Sequence, residues 1–197
     1  MEKAVFLDRD GVINELIYHQ EQGIIDSPFT VDQLQIICGV PEAVALFRKA
    51  GYKVIVVSNQ PGVAKKHMSK KTFEAIRQRL VDQLISKDAN VDAEYYCLHH
   101  PQAKVPELKK VCDCRKPKPG LIIKAAGELD IDISKSWMVG DGLTDIQAGK
   151  SAGCKTILIG KEKCELCRRM EQENAKPDFI CENLLQAASV IKNGAKP

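Results

Sequence analysis

The sequence predicts an α/β fold in which a doubly wound, mostly parallel sheet takes in all 197 residues as a single domain. Short apolar runs of strand length alternate along the chain with longer segments whose apolar residues recur at helical spacing. Acidic or polar residues directly follow several of these runs. Because parallel sheets bind ligands at the carboxyl ends of their strands, we expect the functional residues at those points.

The first half of the chain predicts strands over 3–7 and 53–57, separated by a helix over 41–49. Proline near the first turn favours the start of that helix, and Gly51 favours its end. Ser69 is expected to cap a second helix, whose apolar residues recur at 73, 76, 80 and 84. The stretch 15–39 has poor periodicity, and we expect it to form an excursion that faces the substrate and leaves the cap minimal.

The second half predicts a strand over 94–97, a helix that begins at Pro119, and a strand over 136–139. A short helix follows over 143–150. The runs 156–159 and 178–181 are predicted as edge strands, and 184–191 as a closing helix. The polar segment 161–176 is expected to form a loop or a frayed helix.

Composition excludes several classes of protein. Hydrophobic residues make up 44% of the chain and charged residues 28%, which is enough apolar material for a core and excludes disorder as the main state. A net charge of +3 and an aromatic content of 5% argue against a nucleic-acid binder. No apolar run reaches the roughly 18–20 residues of a membrane span, and the run before Asp8 is too short for a signal peptide. We therefore expect a cytoplasmic protein without nucleic-acid or membrane partners.

Two carboxylates at the end of the first strand predict phosphoryl-transfer chemistry. Asp8 and Asp10 are two positions apart and precede Gly11, so both acids can face one cavity while the chain turns. One can attack as a nucleophile while the other donates a proton to the leaving group. The alternative is an ordinary turn, because Asp and Gly are common turn residues.

Polar residues at later strand ends complete a phosphate-binding pattern. The hydroxyl of Ser58 and the amides that follow it can hold phosphate oxygens, or can cap a turn. Arg115 and Lys116 lie in a proline-rich loop and can contact two anionic groups, or can form a solvated basic loop. Asp141 and Asp145 follow another strand and are oxygen ligands suited to a hard divalent cation, or Asp141 or Thr144 can cap the helix that follows.

Three of the eight cysteines fall into a pattern that predicts a structural zinc site. The candidate ligands are Cys97, His99, Cys112 and Cys114, with His100 as an alternative to His99. The one-residue spacing is tighter than in common zinc motifs, and uncoordinated thiols are the alternative. Zinc would pin the loop over about 97–114 and fix the cations that follow it. The other five cysteines, which include the Cys164 and Cys167 pair, are expected to be ordinary thiols.

These motifs, in this order over about residues 6–153, resemble the haloacid dehalogenase superfamily of phosphatases. The resemblance implies a haloacid dehalogenase-like Rossmannoid fold with Asp8 as the nucleophile and Asp10 as the general acid/base. It implies that Ser58 orients the phosphoryl group and that Lys116 offsets its charge.

The same resemblance implies a catalytic Mg²⁺ held by Asp8, Asp10 and Asp141. Asp10 would reach the ion through its backbone carbonyl, and Asp145 would stand behind the other ligands. The carboxylate of Asp10 would then remain free for proton transfer.

The cysteine segment narrows the resemblance to the heptose bisphosphate phosphatases, with the histidinol-phosphate phosphatases as close relatives. This implies a monomeric hydrolase that removes the C7 phosphate of D-glycero-D-manno-heptose 1,7-bisphosphate through an aspartyl phosphate, in the biosynthesis of nucleotide-activated heptose. Arg115 would bind the remaining phosphate or the sugar, and Asn59 and Gln60 would line the site. The alternatives are a histidinol-phosphate phosphatase, another small sugar-phosphate phosphatase, or a zinc-stabilised binding module.

Overall fold

The computed structural model describes residues 1–161 and 164–194. In chain order the strands are β1 (Lys3–Leu7), β2 (Ile17–His19), β3 (Ile24–Asp26), β4 (Tyr52–Asn59), β5 (Ala93–Cys97), β6 (Trp137–Gly140), β7 (Lys155–Ile159) and β8 (Phe179–Cys181). The helices are α1 (Val40–Lys49), α2 (Lys70–Ile85), α3 (Gly120–Glu128), α4 (Leu143–Ala152), α5 (Cys164–Gln172) and α6 (Leu184–Lys192). The predicted alternation of strands and helices is therefore present.

Six of these strands form one parallel sheet in the order β5-β4-β1-β6-β7-β8. Its central strand, β1, pairs with β4 on one side and with β6 on the other. The carboxyl ends of β1, β4 and β6 consequently lie side by side at one edge of the sheet. The sequence motifs that follow these strands are brought together there.

Both faces of the sheet are covered by helices. Along β1, Val5 and Leu7 pack into the core cluster that contains the apolar faces of α1 and α6, whereas Ala4 and Phe6 pack on the other face, against α3. Successive side chains of a strand point to opposite faces, so a strand covered on both sides must be apolar throughout. This explains the uninterrupted apolar run in β1 and in the middle of β4.

The structure corrects one sequence prediction about a strand and excludes one alternative for the start of a helix. β7 is an internal strand, because β8 pairs along its other side, and Ile157 in its centre is fully buried. The N-cap of α4 is Gly142, whose backbone N–H donates to the Asp145 carboxylate at 3.0 Å. Asp145 meets the need of the first turn for an acceptor, so neither Asp141 nor Thr144 acts as the cap.

Two segments in which the hydrophobic periodicity predicted no definite helix or strand contain regular structure. Residues 15–39 contain the antiparallel pair formed by β2 and β3, and the polar segment after β7 contains α5. Ser69 caps α2 as expected, because its hydroxyl accepts a hydrogen bond from the Thr72 N–H at 3.0 Å. None of the helices in the described ranges combines the length and apolar character that crossing a bilayer requires.

Candidate active site

Three carboxylates form an acid cluster, Asp8, Asp141 and Asp145, next to the carboxyl ends of β1 and β6. Their candidate ligand oxygens all lie within 4.8 Å of one another. Asp8 directly follows β1, and its backbone N–H donates to the carbonyl of Val139 in β6 at 3.0 Å. The strand pairing thus places Asp8 beside the turn that carries Asp141. Asp145 lies within the cluster, whereas the family resemblance implied a place behind it.

Gly11 makes the close approach of the two acidic turns possible. Its φ is +75°, in the left-handed region that side chains disfavour, and a Cβ atom there would overlap the Asp141 carboxylate. The glycine that follows the Asp8–Asp10 motif is therefore required by its backbone conformation and by its neighbour. The sequence alone indicated only the turn.

Lys116 is the cation of the acid cluster. Its ammonium group is buried, forms ion pairs with the Asp8 carboxylate at 2.9 Å and with the Asp145 carboxylate, and donates to the Val57 carbonyl at 2.9 Å. Burial by itself lowers the lysine pKa, but Asp145 and Asp8 outweigh it and raise the pKa above its usual value. The ammonium therefore stays charged.

Asn59 holds the backbone of Lys116. Its side-chain oxygen accepts from the Lys116 N–H at 3.0 Å, and its amide nitrogen donates to the Lys116 carbonyl at 3.0 Å. These two bonds fix the loop that carries the lysine to the end of β4. They also engage both polar atoms of a side chain that the resemblance assigns to substrate binding, so contact between Asn59 and substrate stays a prediction.

The acid cluster carries more negative than positive charge. Burial, followed by the charges of Asp8 and Asp145, raises the pKa of Asp141 to about 7. Burial and the Asp8 charge raise the pKa of Asp145 to about 6, although Lys116 opposes the shift. The three carboxylates offer hard oxygen donors and outnumber the one ammonium, so the cluster fits a divalent cation such as Mg²⁺.

Asp10 turns away from this cluster. One carboxylate oxygen accepts from Arg9 Nε at 3.2 Å, from Arg9 Nη2 at 2.9 Å and from Asn14 Nδ2 at 3.0 Å. The other accepts from Gln60 Nε2 at 2.5 Å. The carboxylate of Asp10 is therefore held apart from the metal-binding oxygens, as the resemblance implies. Arg9 and Asn14 are contacts that the sequence analysis did not single out.

Ser58 and Arg115 each make a hydrogen bond to another of the predicted functional residues. The buried Ser58 hydroxyl accepts from Gln60 Nε2 at 3.1 Å, which leaves its own proton available to a phosphoryl oxygen. Arg115 is half-buried, and its Nη1 donates to the carbonyl of His99 at 3.3 Å. The guanidinium is thereby tied to the cysteine segment.

Four predicted zinc ligands converge at the end of β5. The sulfur atoms of Cys97, Cys112 and Cys114 lie 3.2–3.5 Å apart, and His99 Nδ1 lies 3.4 Å from the Cys114 sulfur and 3.8 Å from that of Cys97. In a tetrahedral site with Zn–S bonds of about 2.3 Å, sulfur atoms are separated by about 3.8 Å. The sulfur atoms are closer than that by a few tenths of an ångström, and the set of three thiols and one imidazole fits Zn²⁺.

The structure separates the remaining candidates from this cysteine cluster. Nδ1 of His100 accepts from the backbone N–H of Gln102 at 3.1 Å, and His99 completes the cluster. Among the other cysteines, Cys38, Cys154, Cys167 and Cys181 are free thiols. The side chain of Cys164 lies outside the described residues.

Comparisons with known proteins find phosphatases of similar sequence and fold. A family model described as HAD-hydrolase-like matches residues 113–187. D-glycero-beta-D-manno-heptose-1,7-bisphosphate 7-phosphatases from Salmonella typhi and Escherichia coli K12 are each 37% identical to the chain, over 98% of it and 97% and 96% of their own lengths. A D,D-heptose bisphosphate phosphatase from B. bronchiseptica, whose crystal structure holds magnesium and phosphate, superposes with a TM-score of 0.78 at 29% identity. That match covers 98% of this chain and 99% of the other.

Proposed function

This chain belongs to the heptose-1,7-bisphosphate 7-phosphatase family of haloacid dehalogenase-like hydrolases, and we propose that it hydrolyses the C7 phosphate of D-glycero-D-manno-heptose 1,7-bisphosphate. The products would be the heptose 1-phosphate and inorganic phosphate. Because the names of the matched relatives specify the β anomer, we propose the same preference here. The enzyme would act as a cytoplasmic monomer.

One observation carries the proposal: Lys116 contacts Asp8, at the end of the central strand, within a cluster of two further acids. A carboxylate beside an ammonium can act as a nucleophile toward phosphorus. The ammonium also faces the position where the transferred phosphoryl oxygens gather charge. A structural ion pair alone would not require two more acids at the same point.

The proposed first step transfers the phosphoryl group to Asp8. A carboxylate oxygen of Asp8 forms a bond to phosphorus while the bond between phosphorus and the sugar oxygen breaks. Ser58 donates its hydroxyl proton as a hydrogen bond to a phosphoryl oxygen, and Lys116 offsets the charge of the group. The electron pair of the broken bond goes to the sugar oxygen, which takes the proton of Asp10 and leaves as an alcohol.

The second step returns the enzyme to its starting state. Asp10, now a carboxylate, removes a proton from water as the water oxygen attacks the phosphorus of the aspartyl phosphate. The bond between Asp8 and phosphorus breaks, inorganic phosphate leaves, and both acids regain their original protonation. One residue thus serves as acid and then as base.

The ions belong to two separate sets of residues. Asp8 and Asp141, with Asp145 beside them and the carbonyl of Asp10 as the resemblance implies, would hold Mg²⁺. When bound, this ion neutralises charge on the phosphoryl oxygens. Cys97, His99, Cys112 and Cys114 would hold Zn²⁺ as four protein ligands, which marks the site as structural.

Arg115 is the proposed ligand of the second phosphate. It is half-buried and anchored by the His99 carbonyl, so its guanidinium is oriented before substrate arrives. A planar guanidinium can donate two parallel hydrogen bonds to a phosphate. Histidinol phosphate has no second phosphate, so this contact favours the bisphosphate.

A substrate panel tests the proposal. Values of kcat/KM are measured with Mg²⁺ for both anomers of the heptose 1,7-bisphosphate, for heptose 7-phosphate and for histidinol phosphate. We expect the β bisphosphate to be preferred over the other three substrates. A higher kcat/KM for histidinol phosphate would instead assign the chain to the alternative phosphatase, and no turnover of any ester would refute phosphatase activity.

A further inference from the structure

Asp10 is held by more donors than an ordinary turn aspartate. Its carboxylate receives four hydrogen bonds from three side chains, Arg9, Asn14 and Gln60, which reach both of its oxygens. The three residues come from two strand-end segments, one after β1 and one after β4. We call these three residues the Asp10 clamp.

The members of the clamp are buried polar side chains. Arg9 and Asn14 are fully buried, and Gln60 is 1% exposed. Among the described residues, Nη1 of Arg9, the Asn14 side-chain oxygen and the Gln60 side-chain oxygen have no hydrogen-bond partner. Leaving such atoms unpaired is unfavourable by about 1–3 kcal/mol each. Each of the three side chains therefore donates to Asp10 while another of its polar atoms remains without a hydrogen bond.

We propose that Arg9, Asn14 and Gln60 are positioning residues that fix the Asp10 carboxylate for proton transfer to and from the reacting oxygens. The inference rests on the proposed phosphatase function, in which Asp10 is the acid and then the base. A proton donor must lie within hydrogen-bonding reach of the oxygen that it protonates, and a displacement of about 1 Å can lower the rate about 100-fold. An aspartate with two free side-chain torsions needs partners on both oxygens to keep one orientation.

Gln60 connects the clamp to the phosphoryl site. Its amide nitrogen donates both to Asp10 and to the hydroxyl of Ser58 at 3.1 Å. The group that protonates the leaving oxygen and the group that would bind the phosphoryl group are therefore set by one amide. This geometry assigns Gln60 to orienting Asp10 and Ser58, where the resemblance implied contact with substrate.

A purely structural role for the clamp makes a different prediction. Arg9 and Asp10 form a buried ion pair, and breaking such a pair destabilises proteins whatever their activity. In that case, substitutions in the clamp would lower stability and would slow all substrates equally. A positioning role slows those reactions most that depend on protonation of the leaving group.

The test compares leaving groups in a Gln60→Met variant. Methionine has nearly the volume of glutamine but cannot donate to Asp10. We measure kcat/KM for p-nitrophenyl phosphate, whose leaving group departs without a proton, and for an alkyl phosphate such as a sugar 6-phosphate. These values report phosphoryl transfer to Asp8 and exclude the later hydrolysis. We expect the ratio of alkyl to aryl kcat/KM to fall about 10- to 100-fold. Both values should also share a smaller loss, because Ser58 loses the amide donor that orients its hydroxyl.

Thr156→Val is the matched control, because it also removes a buried hydrogen-bonding group, the hydroxyl that donates to Asp178 at 2.8 Å. It should leave the ratio unchanged. Asn14→Ala serves as the second clamp variant should Gln60→Met not fold, and it should lower the ratio in the same direction. An equal loss for both esters in a folded clamp variant would overturn the positioning role alone. A wild-type protein inert toward all phosphate esters would overturn the proposed function first.

Discussion

The acid cluster and the cysteine cluster lie at strand ends of the same sheet, but different forces hold them together. Asp8 and Asp141 directly follow strands that pair with each other, so the sheet keeps them close despite their like charges. Of the four cysteine-cluster residues, Cys97 ends a strand. The others belong to a connection whose regular structure is one 3₁₀ turn, Pro106–Leu108.

This difference predicts opposite consequences for the two metal ions. The sheet builds the acid cluster whether or not Mg²⁺ is bound, and the ion adds chemistry. Apart from that 3₁₀ turn, residues 98–119 form no helix or strand, so Zn²⁺ would provide much of their order. Because Lys116 lies within this segment, Zn²⁺ would influence the acid cluster by fixing the conformation of the loop that carries the lysine.

Asp8→Asn should give the largest effect on activity, because it removes the nucleophile. We expect kcat to fall by about 10⁴-fold or more, while zinc content and the melting temperature stay close to those of the wild type. Glu2→Gln neutralises an exposed acid and serves as the control. Near-wild-type turnover in Asp8→Asn, in a sample free of wild-type protein, would refute the assigned nucleophile.

Cys112→Ser should affect the cysteine cluster, with a large loss of zinc and stability and a smaller loss of activity than Asp8→Asn. Loss of a zinc ligand should lower the zinc content below one ion per chain and reduce stability by about 3 kcal/mol, which corresponds to a melting temperature about 10 °C lower. Activity should fall about 10- to 100-fold, because Lys116 loses its fixed loop.

The control is Cys38→Ser, which replaces an exposed free thiol and should change neither stability nor activity. A Cys112→Ser protein with full zinc content and wild-type stability would contradict the zinc site. Full activity after loss of zinc would contradict the coupling between the two clusters.

Features written in consecutive residues were predictable from the sequence. Apolar runs predicted the strands of the central sheet, and the motif at Asp8 and Asp10 predicted a site at its edge. The cysteine and histidine spacing predicted a cluster that does converge. In each case the signal lies in residues close together in the sequence, or the residues follow parallel strands, whose carboxyl ends lie at one edge of the sheet.

Contacts between distant turns were not predictable in the same way. Gln60 reaches Asp10 across the sheet, and Asn59 meets the backbone of Lys116 57 positions away, which no spacing rule indicates. The position of β7 was wrong for a similar reason, since a strand becomes internal only when a later one pairs with it. The position of Arg9 between Asp8 and Asp10 could have indicated the buried Arg9–Asp10 ion pair, because a buried arginine needs an acidic partner.

Arg115→Ala should separate binding of the second phosphate from chemistry. Charge-assisted hydrogen bonds contribute about 1.5–3 kcal/mol, so kcat/KM for the bisphosphate should fall about 10- to 100-fold. The value for heptose 7-phosphate should change little. Lys124→Ala removes an exposed charge and is the control. An equal loss for both substrates would place Arg115 at the transferred phosphate instead.

The smallest expected effect is a pH-dependent change in the stability provided by Mg²⁺. An acid whose pKa is raised by folding stabilises the fold below its unfolded pKa and loses that contribution as pH rises through its folded pKa. Asp141 has a pKa of about 7 and Asp145 a pKa of about 6. The stability of the metal-free protein should therefore fall as the pH rises from 5 to 8.

Mg²⁺ binds the ionised carboxylates and removes their repulsion, so the rise in melting temperature on adding Mg²⁺ should grow by a few degrees over the same range. Comparing samples with and without the ion at each pH cancels the titration of groups elsewhere. Asp141→Asn should flatten the dependence, because it removes the acid with the higher pKa. If the rise in melting temperature on adding Mg²⁺ did not depend on pH, the acid cluster would already be ionised at pH 5. The sheet would then hold three carboxylates together without protonation of any of them.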